Sequence, residues 1–243
     1  MILETAPAAV TWLVLVTAAF CAGFAKTAVG GIGLFTVVLA ALVMPAAEST
    51  AAVLLLLIIA DACAVFRYGR HADWALIRQV VPAVIPGLLI GAVLLAALPD
   101  SLLRRLIGGI LLLMAALQLL PRTPQPPRGA ATVTGLGAGA CTMMANAAGP
   151  VMTLYLLARG LDKQRFLGTS AWFFAGVNLC KVPFTAGLGL FDGPMLLRTL
   201  VLAPAVLLGA LVGVKVVNRL RQSVFERVVL GATAVSALTL ILL

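Results

Sequence analysis

Apolar stretches of about 20 residues follow one another along the chain, separated by short polar interruptions. In the first half they lie at about 8 to 25, 30 to 46, 50 to 66, 77 to 98 and 103 to 120; in the second half at about 130 to 145, 148 to 158, 166 to 184, 197 to 215 and 224 to 243. The opening pair of each half is short and glycine-rich, so each pair is either two spans or one re-entrant hairpin. The pattern predicts an all-α polytopic membrane protein with about 8 to 10 membrane segments.

The composition supports this prediction. The chain is 63% hydrophobic and 10% charged, whereas a soluble domain is about half apolar and a quarter charged. No basic residue precedes the first apolar run, so that run is expected to be a membrane segment and not a signal peptide. The net charge of +9 comes from basic residues scattered singly between apolar runs. The predicted solvent is therefore the lipid bilayer, and no nucleic acid is expected.

One stretch of sequence occurs twice. PAVIPGLLIG, from Pro82 to Gly91, matches PAVLLGALVG, from Pro204 to Gly213, at an offset of 122 positions. Further upstream, at an offset of 116, Gly23 matches Gly139. We therefore predict two repeats, at 1–120 and 130–243, joined by a proline-rich linker at 121–129.

The basic residues predict the orientation, because basic loops stay in the cytoplasm. Three of them fall on one side of the predicted topology: Arg104, Arg105 and Arg198. Twelve fall on the other side: Arg67, Arg70, Arg78, Arg122, Arg128, Arg159, Lys163, Arg165, Lys215, Arg219, Arg221 and Arg227. This places the linker inside the cell and both termini in the periplasm. The two repeats are then predicted to be inverted relative to each other, with a substrate site near the midplane.

The first candidate site lies between the first two apolar segments, in a glycine-rich break. Its residues are Lys26, Thr27, Gly30, Gly31 and Gly33. Glycines weaken a helix, and the amides freed at a break form an anion site to which a lysine adds a full charge. The alternative is a face of glycines for close packing, with a lysine that reaches the interface.

The second half carries a matching break. Its candidate residues are Thr142, Asn146, Gly149 and Pro150. Asn146 offers a donor and an acceptor, and a proline fits the first turn of a new helix. The alternative for Asn146 is a single hydrogen bond between two helices.

Further candidates are polar residues inside apolar segments, because charge at membrane depth is costly and usually functional. Asp61 and Lys181 occupy corresponding positions in the two repeats, and Asn178 lies near Lys181. Asp61 is a candidate for proton coupling, whereas the alternative is a structural ion pair. Ser170 could donate to an oxyanion or cap a helix.

The one histidine, His71, lies in a loop, so neither a histidine triad nor a histidine metal cluster can form, and no cofactor is expected.

With these motifs, namely Gly23 to Gly33, Gly135 to Pro150 and the run from Gly168 to Ser170 followed by Asn178, the chain resembles the TauE/SafE family. The resemblance implies a bacterial inner-membrane carrier that moves sulfite, sulfonates or related anions, usually outward. It also implies that Gly30, Gly31 and Gly33 line the first break, and that Asn146, Gly149 and Pro150 line the second.

The predicted function is therefore a secondary transporter that exports a small anion. The expected partners are that anion and the bilayer, and a homodimer is one candidate assembly. The rival predictions are an anion channel, a carrier of a different organic anion, a membrane-embedded enzyme and a non-transporting accessory protein. An enzyme is disfavoured because the chain offers so few catalytic groups at membrane depth.

Overall fold

The computed structural model describes residues 7–28, 33–99, 102, 129–225, 227–228 and 231. Within these ranges the regular elements are helices: α1 (Ala8–Thr27), α2 (Gly33–Val43), α3 (Ala46–Tyr68), α4 (Trp74–Ala97), α5 (Ala130–Ala145), α6 (Ala148–Ala158), α7 (Lys163–Gly187) and α8 (Gly193–Arg219). A short 3₁₀ turn, Gly69–His71, joins α3 to α4. The predicted all-α fold is confirmed. The segment at 103–120, nearly all of the linker and most of the last segment lie outside the described residues.

The helices differ in length relative to the membrane. Among the described residues, four helices are long and apolar enough to cross it: α1, α3 with its 3₁₀ turn, α4 and α8. Helices α2 and α6 have 11 residues each, or about 16 Å, which is half of a hydrocarbon core of about 30 Å. The pairs α1–α2 and α5–α6 pack as helical hairpins, and the second helix of each pair is too short to cross that core by itself.

Three aspartates determine where the long helices begin. The side chain of Asp73 accepts hydrogen bonds from the first amides of α4, at 3.1 and 3.2 Å. Asp162 accepts two at the start of α7, both at 3.0 Å. Asp192 accepts one at the start of α8, at 2.6 Å. Each carboxylate satisfies amides that have no partner within the helix, and its negative charge suits the positive end of the helix.

The two halves of the chain pack through glycines at corresponding positions. Helix α1 packs against α8, and α4 packs against α5. A methyl group added at Gly23 would overlap the backbone oxygen of Val206, and one added at Gly139 would overlap that of Val84. Because Val84 and Val206 are 122 positions apart, the same contact forms in both halves. Helices α3 and α7 contact each other between these two packed pairs.

We expect Gly23→Ala to destabilise the protein, because the new methyl group would overlap backbone atoms, which cannot rotate aside as a side chain can. The expected cost is about 1–3 kcal/mol, as for overpacking in a core. The matched control is Gly176→Ala in α7, where the added methyl group meets no atom within 4 Å. That change should instead stabilise the helix by about 0.5–1 kcal/mol. Thermal unfolding in detergent measures both, and equal melting temperatures would contradict the prediction.

Candidate functional site

A buried ion pair lies at the end of the first hairpin arm. Lys26 is the second-last residue of α1, and its Nζ lies 2.7 Å from Oδ1 of Asp61 in α3. The amide nitrogen of Asn178 in α7 donates to the other carboxylate oxygen, Oδ2, at 2.5 Å. Asp61 and Asn178 are each 1% exposed. Since unpaired charge at this depth is costly, the three side chains hold α1, α3 and α7 together.

An aromatic ring completes the environment of Lys26. Its Nζ lies 4.0 Å from the centre of the Phe174 ring, which is close enough for a cation–π interaction. The side chain of Lys26 retains 12% exposure, whereas that of Asp61 has 1%. The ammonium group is therefore held by a carboxylate on one side and a ring on another.

The second cation, Lys181, is completely buried at 0% exposure. Its Nζ donates to the carbonyl oxygen of Thr142 at 2.7 Å, to the hydroxyl of Thr142 at 3.4 Å and to the amide oxygen of Asn146. Among the residues that the structure describes, the acceptors of Lys181 are thus all uncharged. An ammonium group has three donors, and these contacts occupy all three.

The break in the second hairpin is two residues long. Helix α5 ends at Ala145, Asn146 has the left-handed conformation with φ of 52°, and α6 begins at Ala148. Asparagine is one of the few non-glycine residues that adopt this conformation readily. The amide nitrogen of Asn146 donates to the carbonyl oxygen of Thr50 in α3 at 3.0 Å. The break therefore places one side chain between Lys181 of α7 and the backbone of α3.

The group Lys26, Asp61 and Asn178 and the contacts of Lys181 form one site, because both include a residue of α7. Asn178 and Lys181 are three residues apart, so they share a face of the helix. The structure therefore brings together five of the predicted residues with Asp61: Lys26, Thr142, Asn146, Asn178 and Lys181.

Other predicted residues occupy different places. Gly33 is the first residue of α2, whereas Gly149 and Pro150 lie in the first turn of α6, next to Asn146. Pro150 in a first turn fits the predicted helix restart. Gly30 and Gly31 lie outside the described residues.

Thr27 has structural partners in this conformation. Its hydroxyl lies 3.0 Å from the carbonyl oxygen of Gly23 and 2.9 Å from that of Ala210 in α8. The hydroxyl of Tyr68 donates to the carbonyl oxygen of Thr27 at 3.0 Å. These bonds tie the end of α1 to α8 and α3.

Ser170 lies 11 residues before Lys181 in α7, or about 16 Å along the helix. The structure therefore does not bring it to Lys181. Its proposed contact with the substrate stays a prediction.

Sequence reasoning missed Phe174. It precedes Asn178 by four residues, which is one helical turn, so helical spacing alone places both on one face of α7. The sequence signal that could have identified Phe174 is an aromatic residue one helical turn from a predicted polar site.

Residues near the 3₁₀ turn join the halves away from this site. Arg165 of α7 pairs with Asp73 at 2.6 Å, and the indole of Trp172 donates to the carbonyl oxygen of Gly69 at 3.2 Å. Trp172 also packs on Trp74, with ring centres 5.3 Å apart.

The four cysteines lie at separate positions as free thiols, and the described residues contain no cluster of metal ligands.

Two interrupted helical hairpins that hold buried charge within an apolar bundle define a polytopic membrane protein built to handle a charged solute. A family model described as "Sulfite exporter TauE/SafE" matches residues 15–240, so the chain belongs to that family. It is a membrane transporter and not an enzyme, as the sequence predicted.

A curated relative gives a more specific description. The "Probable sulfite/organosulfonate exporter TauE" of Cupriavidus necator strain H16 is 24% identical over 175 residues, which are 70% of this chain and 68% of that protein. No solved structure matches the chain.

Proposed function

We propose that the protein is a secondary carrier that exports a small oxyanion, sulfite or an organosulfonate, across the bacterial inner membrane. The observation that carries this proposal is a pair of lysines beside the hairpin ends, the fully buried Lys181 and the mostly buried Lys26. The name of the Cupriavidus relative supports the same substrate class.

The chemistry of the site favours an anion. Cationic side chains and free amides at helix interruptions are the groups that transporters use to hold anions within the membrane. Two lysines and one carboxylate, Asp61, lie within this cluster of described residues. We assign substrate binding to the side chains and backbone around the two breaks and on α7: Thr27, Gly30, Gly31, Gly33, Thr142, Asn146, Gly149, Pro150, Ser170, Asn178 and Lys181. Lys26 lies beside them as the partner of Asp61.

The packing supports transport by movement of the two halves. Glycine contacts repeat at corresponding positions in the α1–α8 and α4–α5 pairs, as expected of two related repeats. We propose that the repeats are inverted and rock about α3 and α7, which exposes the site to each side in turn. The basic loops favour a cytoplasmic linker and periplasmic termini. A homodimer remains a candidate assembly.

Transport of radiolabelled sulfite into proteoliposomes tests the proposal. We expect the double variant Lys26→Ala with Lys181→Ala to lose at least tenfold in initial flux, because both cations at the breaks are gone. The matched control is Lys215→Ala, which removes an exposed lysine from α8 and should retain wild-type flux. Unchanged flux in the double variant would overturn the assigned site.

The same vesicles distinguish a carrier from a channel. The binding site of a carrier returns across the membrane either loaded or empty. Unlabelled sulfite inside the vesicles should therefore accelerate the entry of labelled sulfite, and the rate of entry should saturate as the sulfite concentration rises. A non-saturating flux without counterflow would support a channel.

A further inference from the structure

The buried charges of the site are distributed unequally between the two halves. Lys26 of α1 contacts Asp61 of α3, and at offsets of 116 and 120 the corresponding residues are Thr142 of α5 and Lys181 of α7. Those two residues also contact each other. The same pair of positions therefore holds a cation and an anion in one half, but a cation and a neutral hydroxyl in the other.

This difference leaves one cation without a charged partner among the described residues. The charge of Lys26 is balanced by Asp61 at 2.7 Å. Lys181 is fully buried, yet the groups that accept its hydrogen bonds are a carbonyl, a hydroxyl and an amide. Uncharged acceptors satisfy its donors but do not neutralise its charge, and an uncompensated charge is expensive at this depth.

We infer that Lys181 is the residue that holds the transported anion, that Asp61 is a built-in counterion for Lys26, and that the site accepts an oxyanion with a single negative charge. This inference rests on the proposed function. Among the described residues of the site, two ammonium groups and one carboxylate leave one positive charge, which a sulfonate or hydrogensulfite balances. A dianion such as sulfate would leave an excess negative charge in the bundle.

The hydrogen-bonding neighbours of Lys181 fit this role. Asn146 lies in the two-residue break, where it joins Lys181 to the backbone of α3. An arriving oxyanion can take the place of the Asn146 oxygen at the ammonium group. The hydroxyl of Thr142, now 3.4 Å from Nζ, is free to donate to an oxygen of that anion. Lys26 offers no comparable place, because a carboxylate and the Phe174 ring already occupy its surroundings.

The test measures melting temperature in detergent, with and without methanesulfonate, sulfite or sulfate, for the wild type and three variants. At an acidic pH, at which sulfite is protonated to hydrogensulfite, methanesulfonate and sulfite should raise the melting temperature of the wild type more than sulfate does. Lys181→Met should lose this rise. Lys26→Met should melt at a lower temperature because Asp61 is left unpaired, and adding Asp61→Asn should restore both the melting temperature and the response to methanesulfonate.

Two results would overturn the inference. One is a response to methanesulfonate that persists in Lys181→Met but is absent from Lys26→Met with Asp61→Asn. The other is equal stabilisation of the wild type by sulfate and methanesulfonate.

If no anion stabilises the wild type, the proposed function fails, and the charge assignment is still decided by the melting temperatures without anion. Lys181→Met should then be less destabilised than Lys26→Met, and an equal or larger loss would contradict the assignment.

Discussion

Asp61→Asn should change the charge of the anion that the carrier prefers. The asparagine oxygen can still accept the hydrogen bond from Asn178, but the site gains one net positive charge. We expect sulfate to become an effective competitor of sulfite flux, with the ratio of sulfate to methanesulfonate affinity rising about tenfold, or about 1.4 kcal/mol. Competition assays in proteoliposomes measure this ratio.

The same variant tests proton coupling. Among the described residues, the charged group in contact with Asp61 is Lys26 from α1. Lys181 lies one turn along α7 from Asn178, which also contacts Asp61. If Asp61 takes up a proton when an anion enters, Asp61→Asn should transport at a rate that no longer depends on pH, while exchange of internal for external anion persists. A pH dependence equal to that of the wild type would exclude Asp61 as the coupling residue.

A matched control exists outside the membrane site. Asp73 also pairs with a cation, Arg165, at 2.6 Å, but Arg165 is 54% exposed. An exposed pair contributes at most about 1 kcal/mol, and asparagine can still cap α4. Asp73→Asn should therefore change neither the anion preference nor the pH dependence.

Asn146→Asp should block transport by supplying an internal anion. Its carboxylate would occupy the position from which the amide oxygen now accepts from Lys181. We expect at least a tenfold loss of sulfite flux, because a charged acceptor at Nζ competes with the substrate. Aspartate also tolerates the left-handed backbone. Flux close to that of the wild type would contradict the role of Lys181.

The stability of this variant provides a second readout. The control is Asn146→Gly, which adopts a φ of 52° without strain but has no side chain. Both variants lose the hydrogen bond to Thr50, and only the aspartate offers Lys181 a carboxylate. A hydrogen bond to a charged group is worth about 1.5–3 kcal/mol. Asn146→Asp should therefore melt at a higher temperature than Asn146→Gly while transporting less.

The positions of the helices were predictable, because apolar runs specify helices in lipid and glycine or proline residues interrupt them. Segments at 130 to 145 and 148 to 158 coincide with α5 and α6. The glycines at offsets of 116 and 122 proved to be close helix contacts. The predicted and observed helices and glycine contacts agree because helix length in the membrane and the absence of a Cβ are local properties of the sequence.

The partners within the site were less predictable. Asp61 and Lys181 occupy corresponding positions, and the sequence left open whether Asp61 would meet Lys181 or Lys26. The structure pairs it with Lys26, because the pairing depends on how deep the first hairpin reaches along α3. Sequence offsets carry no information on that depth.

The polar character of α7 has a consequence for biogenesis. This helix carries Lys181, Asn178 and a basic first turn, and it is not among the described helices apolar enough to enter lipid by composition alone. Insertion from the translocon favours apolar segments and penalises buried lysine. Helix α7 therefore depends on α1 and α3, which are synthesised earlier and carry its polar partners. Nascent chains that lack those helices should leave α7 outside the bilayer, where quality-control proteases can reach it.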